Sequence, residues 1–182
     1  MIFTATALEG VYVIEPEQLK DHRGFFARTW CQREFDQHGL ETELVQCSIS
    51  FNEKSGTLRG MHYQTAPFQE VKVVRCTMGS IVDVIIDLRP DSPSFKMHFA
   101  IMLSAQNRKM LYIPKGFAHG FQTLEDHSEI FYQMNQFYAS ECARGIRWDD
   151  PAFGIRWPMD NPIMHERDRT YADFREEYVP SF

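Results

Sequence analysis

Cysteine is scarce in this chain of 182 residues, and the four that occur, Cys31, Cys47, Cys76 and Cys142, form no CxxC pair and no metal-ligand spacing. That argues against a disulfide framework or a structural zinc site, and for reduced thiols in a cytoplasmic protein. No apolar run is long enough to span a bilayer. The opening MIFTATALEG has no basic stretch followed by an apolar core, so neither a membrane protein nor a signal peptide is expected. Positive charge is not in excess: the formal net charge is −6, which disfavours nucleic acid and anionic membrane as partners. There is no G-x-x-x-x-G-K-S/T phosphate loop and no G-x-S-x-G elbow, and none of the cysteines has an obvious catalytic partner. Repeats, low-complexity tracts and polar linkers are missing too, so residues 1–182 are read as one domain.

What is present is strand. An apolar content of 43%, with 15 phenylalanines, is ample for a core. The runs VYVIEP, FFARTW, LVQCSIS, LRGMHYQ, VKVVRC, IVDVIIDL, FKMHFAIML, MLYIP, HGFQTL and EIFYQMNQFY are short and rich in β-branched and aromatic residues. Between many of them lie turn signals such as EKSG, MGS, RPDSPS and PKG. The expected fold is all-β, a sandwich, jelly roll or barrel. Short peripheral helices are expected over 31–39, ending at Gly39, and over 166–177.

A small antiparallel roll can hold one ligand among its inward side chains, so polar residues at inward positions carry the information. Asp83 and Asp87 share a face with Ile81 and Ile85, and Lys72 shares one with Val74 and Cys76. Lys72 is equally compatible with the solvated side of an edge strand. In LRGMHYQ, Arg59 and His62 differ in parity, which sends them to opposite faces of a regular strand. Gly60 between them marks the place for a bulge or close backbone approach that lets both serve one site. A lone histidine is ordinarily a satisfied core or surface residue, and His62 needs partners to be more.

Two chemistries are open. A metal-binding cupin would carry His-x-His followed by Glu, but the corresponding place reads His62-Tyr63-Gln64, with only His119 and Glu70 to add, which is a weak set. Acid/base chemistry fits better. An imidazole titrating near neutrality is the default base, an aspartate fixes its tautomer, and Tyr132 can give a proton from another direction while Lys72 faces a developing enolate oxygen. The residues alone support a β-fold with an acid/base pocket and go no further.

The segments DHRGFFARTW, TLRGMHYQ, VKVVRCTMGSIVDVIIDLRPDSPSF, LYIPKGFAHGF and RGIRWDDPAFGIRWP occur in that order over most of the chain. Together they closely resemble the dTDP-4-dehydrorhamnose 3,5-epimerase family of cupin-type jelly rolls. The resemblance implies a metal-independent homodimeric enzyme, without cofactor, acting on a nucleotide-linked 4-keto-6-deoxy sugar at carbons 3 and 5. By the same resemblance His62 matches the general base and Asp168, in HERDRTYADF, the carboxylate that orients it. Lys72 matches the residue facing the enolate oxygen, and Tyr132, in EIFYQMN, the phenol that reprotonates from the opposite side. Arg23 and Arg59 match positions gripping the pyrophosphate and nucleotide, and His119 and Asp83 match polar residues of the same pocket. Tyr138 is a rival to Tyr132 on sequence alone.

Several positions depart from that pattern. Relatives specific for dTDP read Gln-Asp-Asn where this chain has Gln46-Cys47-Ser48, and carry Glu where it has Arg28. Gln46, Ser48 and Arg28 are therefore expected beside the nucleotide base, with base choice open among dTDP, CDP and GDP, because mismatched donors and acceptors cost affinity. Gln133 stands where Lys is common, and His165 where Ser is. Action at carbon 3 or carbon 5 alone is the other alternative.

Overall fold

The computed structural model describes residues 1–176. Strands β1 (Ile2–Ala5), β2 (Tyr12–Glu15), β3 (Gln18–Asp21) and β4 (Gly24–Ala27) precede helix α1 (Gln32–Gln37). Then come β5 (Gln46–Asn52), β6 (Leu58–Gln64), β7 (Lys72–Met78), β8 (Ser80–Asp87), β9 (His98–Ser104) and β10 (Met110–Ile113). The order closes with β11 (Phe117–Thr123), β12 (Ser128–Met134), β13 (Ala143–Gly145) and helix α2 (Glu166–Arg169). A six-stranded sheet, β1-β2-β10-β7-β12-β5, faces a five-stranded sheet, β13-β6-β11-β8-β9, and β3 and β4 form a two-stranded sheet. Pairing within each sheet is antiparallel, and the sheets stay open as a sandwich, as the jelly-roll reading required.

Period-two alternation builds the layer between the sheets. Val74 and Cys76 of β7, Leu111 and Ile113 of β10 and Ile130 of β12 meet Ile81 and Ile85 of β8, Leu103 of β9, and Phe117 and Phe121 of β11. Most strands are too apolar to have a wet outer face, and the chain covers them. Val71 and Val73 turn outward onto Phe35 of α1, with Ile14, Met110 and Tyr112. Val84, Ile86 and Ala118 lie under Ile146 and Phe153 on the back of the five-stranded sheet. Lys72 is buried on the inner side with Val74 and Cys76, which excludes the solvated-edge reading.

Gly60 is a bulge. His62 pairs with His119 but Arg59 pairs with Phe121, so β6 spends one residue more than β11 between the two pairings. Gly60 sits at φ +124°, and a Cβ there would lie 2.5 Å from the Gly120 Cα and 2.8 Å from the His119 carbonyl. Only glycine fits that approach. The extra residue cancels the parity difference, and Arg59 and His62 line one cavity.

Helix α1 forms within the expected 31–39 but ends at Gln37, with His38 as its C-cap and Gly39 just beyond at φ +67°. The C-terminal helix is shorter than expected and stops at Arg169. Beyond it tertiary contacts extend the chain: the Phe174 N–H donates to Asp150 Oδ2 at 2.6 Å, and its ring packs 4.9 Å from that of Phe153. Glu177, the last residue of the expected helix, lies outside the described residues.

Candidate active site

A cavity of about 1010 Å³ lies between the sheets, walled by β6 and β11 on one side and by β5, β7 and β12 on the other. His62 stands on β6 and is partly exposed to this space. Its Nε2 lies 2.8 Å from Asp168 Oδ1, and Asp168 Oδ2 accepts from the Gly60 N–H at 3.4 Å. Burial alone would raise the Asp168 carboxyl. The hydrogen bond and charge of His62, the Gly60 N–H and the charge of Arg167 overrule it and hold the carboxyl below its ordinary value. An ionised carboxylate only accepts, so His62 donates from Nε2, and in the neutral form of the ring the lone pair is then on Nδ1.

Asp168 is delivered by α2, a single turn. The His165 ring caps it, Nδ1 accepting from the Arg167 N–H at 3.1 Å, while the Asp168 N–H donates to the His165 carbonyl at 3.0 Å. His165 occupies the N-cap place where serine is favoured, so the serine-to-histidine departure retains the cap with a different acceptor.

The opposing sheet supplies Lys72 from β7 and Tyr132 from β12. Burial first, then the charge of Asp83, raises the Tyr132 phenol, against a lowering by Arg59. The phenol is therefore protonated throughout the neutral range and is a donor, not a base. Lys72 Nζ pairs with Glu70 Oε1 at 2.8 Å. His119 of β11 lies edge-on to Tyr132, with ring centroids 6.0 Å apart, and its Nε2 lies 2.8 Å from Asp83 Oδ2. Asp83 itself does not reach the cavity wall. It is fully buried behind His119, and its Oδ1 has no hydrogen-bond partner among the described residues.

Arg59 projects into the cavity, its Nε donating to Asn52 Oδ1 at 2.8 Å. Gln46 and Ser48 line the wall from β5, where Ser48 pairs with Tyr132 and Gln46 with Met134. Tyr138, the rival phenol, lines the cavity but is largely exposed, whereas Tyr132 is inside. Arg23 and Arg28 are not brought to this cavity. Arg23 lies at the turn of the β3–β4 hairpin, 79% exposed and paired with Asp21, and Arg28 pairs with Glu34 at 2.9 Å beside a separate cleft. Among the described residues no cluster of three or more His, Cys, Asp or Glu is placed to hold a metal ion. The three side chains the sequence offered for that role are spoken for singly: His62 by Asp168, His119 by Asp83, and Glu70 by Lys72. Sequence reading passed over Arg144, Arg167 and Tyr171, which also line the cavity. The signal for Arg167 was its adjacency to Asp168.

The sandwich and its cavity define an enzyme of the jelly-roll type, in which His62 on one sheet, paired with Asp168 of α2, faces the phenol of Tyr132 and the ammonium of Lys72 on the other. The family model for dTDP-4-dehydrorhamnose 3,5-epimerase matches residues 5–176. A dTDP-4-dehydrorhamnose 3,5-epimerase of Shigella flexneri is 42% identical over 164 residues, 90% of each chain. The crystal structure of the Bacillus anthracis enzyme of that name, with TDP and PPi bound, superposes with a TM-score of 0.92 at 35% identity, over 95% of this chain and 99% of that one. The Legionella pneumophila dTDP-6-deoxy-D-glucose-3,5-epimerase, in complex with dTDP-4-keto-L-rhamnose, gives 0.91 at 30% identity, over 100% and 98%. The chain belongs to the dTDP-4-dehydrorhamnose 3,5-epimerase family and is a sugar-nucleotide epimerase of that type.

Proposed function

We propose that the enzyme inverts carbon 3, carbon 5 or both in a nucleotide-linked 4-keto-6-deoxy sugar, of the dTDP-4-dehydro-6-deoxyglucose to dTDP-4-dehydrorhamnose type. The observation that carries this reading is the division of labour between the sheets, with the His62–Asp168 pair on one wall and Tyr132 and Lys72 on the other. The ketone at carbon 4 acidifies its neighbours. His62 Nδ1 takes the proton from carbon 3 or 5, and the C–H electron pair moves through the new C=C bond onto the carbonyl oxygen. Asp168 stabilises the imidazolium so formed, and Lys72 donates to the enolate oxygen. When the double bond reverts, Tyr132 delivers its proton to the opposite face of the same carbon. Inversion results, and exchange with water resets imidazolium and phenolate.

Arg59 grips the diphosphate, whose geometry a guanidinium matches. Gln46 and Ser48 read the base. Arg28 plays no part in that pocket from its own subunit. The working unit is a homodimer: the β3–β4 hairpin carries Arg23 outward with Leu19 70% and Phe26 71% exposed, an apolar face suited to a second copy. Turnover of dTDP-, CDP- and GDP-linked 4-keto-6-deoxy sugars in heavy water, followed by mass and NMR analysis, tests the reading. Deuterium at carbon 3 or 5 with inverted configuration is expected, and its position and the preferred nucleotide separate the alternatives. No exchange with any of the three overturns the proposal. A metal-dependent activity would show itself as stoichiometric metal by elemental analysis and loss of turnover on chelation.

A further inference from the structure

Glu70 is a carboxylate inside a cavity built to receive an anionic substrate, and the reaction just described gives it no task. Its side chain and that of Lys72 are each only 11% exposed, with Oε1 2.8 Å from Nζ. The segment carrying both is fastened to the strand beside it. The Val71 N–H donates to Asn135 Oδ1 at 2.7 Å, and the Asn135 N–H donates to the Val71 carbonyl at 3.3 Å. The register neighbours of Lys72, Ile113 of β10 and Met134 of β12, are apolar and offer their side chains as no acceptor. Glu70 stands two residues before Lys72 and, like it, lines the cavity.

We infer that Glu70 is a positioning residue for the reaction, acting through Lys72. A lysine ammonium sits on a four-carbon stem with three equivalent donors, so it reaches a carbonyl oxygen in one geometry only if something else fixes it. Glu70 occupies one N–H, compensates the charge of an ammonium held away from water, and leaves the remaining donors for the oxygen at carbon 4. The enolate then meets a donor already in place, the condition under which such a contact favours the transition state over the ground state. This inference rests on the enolate-facing role of Lys72 proposed above.

The test is a double-mutant cycle on the epimerisation rate, with Glu70→Gln, Lys72→Gln and the double variant assayed on whichever 4-keto-6-deoxy sugar nucleotide the wild type turns over fastest. Glu70→Gln keeps shape and removes charge. It is expected to lower kcat by about 10- to 10²-fold, the upper figure being the cost of a group misplaced by about 1 Å, with KM within about twofold of wild type. In the Lys72→Gln background it should have no further effect, because residues acting as a unit are not additive. Glu70→Asp, with the charge retained on a shorter arm, should fall between wild type and Glu70→Gln, and thermal unfolding of each variant checks that the fold is intact. Wild-type kcat in Glu70→Gln with an impaired Lys72→Gln would overturn the role of Glu70 alone. Full activity in Lys72→Gln would instead overturn the reading on which it rests. A double variant that loses the product of the two single effects would make Glu70 independent of Lys72 and equally refute the inference.

Discussion

The proposed base draws its competence from a carboxylate 106 positions further along the chain. Because the Asp168 carboxyl is held below its unfolded value, its ionised form stabilises the fold. That contribution is fully present above the unfolded carboxylate value of about 4 and is lost as pH falls through the lower folded value. Urea midpoints measured from pH ~6 down to pH ~3 should therefore fall more steeply for the wild type than for Asp168→Asn, which has no proton to bind there. The opposite perturbation acts on Tyr132, whose burial keeps it a donor. Tyr132→Phe should lower net epimerisation by about 10²–10⁴-fold, the range of a positioned general acid. It should still wash deuterium into the substrate, since His62 can take the proton and return it on the same side. Epimerisation at the wild-type rate in that variant would remove Tyr132 from the mechanism.

Two elements determine whether these side chains meet, and they were unequally legible. Strand β6 could be read in advance: LRGMHYQ shows apolar positions, a cation and an imidazole of opposite parity, and a glycine between them, and a bulge at that glycine resolves the conflict. Most of the larger strands followed from alternation, which also put Lys72 on one face with Val74 and Cys76; that this face is the inner one was decided by the central place of β7 in its sheet. Strands β1, β3 and β13 were not foreseen: QLKD and ARG are short and hold one apolar residue each, and the four residues of IFTA have no preceding turn signal to bound them. Helix α2 was foreseen in place but not in length, since propensity says nothing of the Phe174–Phe153 contact that holds the chain beyond it. Nor could alternation tell that Asp83 stops behind His119, because depth within a sandwich depends on the facing sheet. The site's residues, and the partnership of His62 with Asp168, were named through family resemblance; the pairing of Lys72 with Glu70 and of His119 with Asp83 became visible only in three dimensions. At this scale the cap on α2 makes a prediction. His165→Ala removes the acceptor for the Arg167 N–H, worth about 1 kcal/mol to a helix start. It should lower kcat/KM severalfold by loosening Asp168, whereas His165→Ser should restore most of it. Equal activity of Ala and Ser variants would show that the cap does not govern Asp168.

Among the described residues the β3–β4 hairpin pairs with no other strand, its apolar side chains outward and Arg23 at its tip. Light scattering should give a mass of about twice 21.4 kDa. The pair Leu19→Ser and Phe26→Ser should shift it toward that of one chain, and with it the activity, if the hairpin is the contact. The two-sheet origin of the proposed catalytic groups has a consequence of its own. On the proposed mechanism, proton acceptor and proton donor stand on the jaws of a calliper, and the filling that sets its opening is the layer of Val74, Ile85, Ile130 and their neighbours. Close-packed interiors transmit the loss of even one methylene. A trimmed side chain deep in that filling, touching no sugar atom, would thus alter the span across which a proton leaves one face of a carbon and another arrives, so turnover in this enzyme doubles as a ruler for the thickness of its own interior.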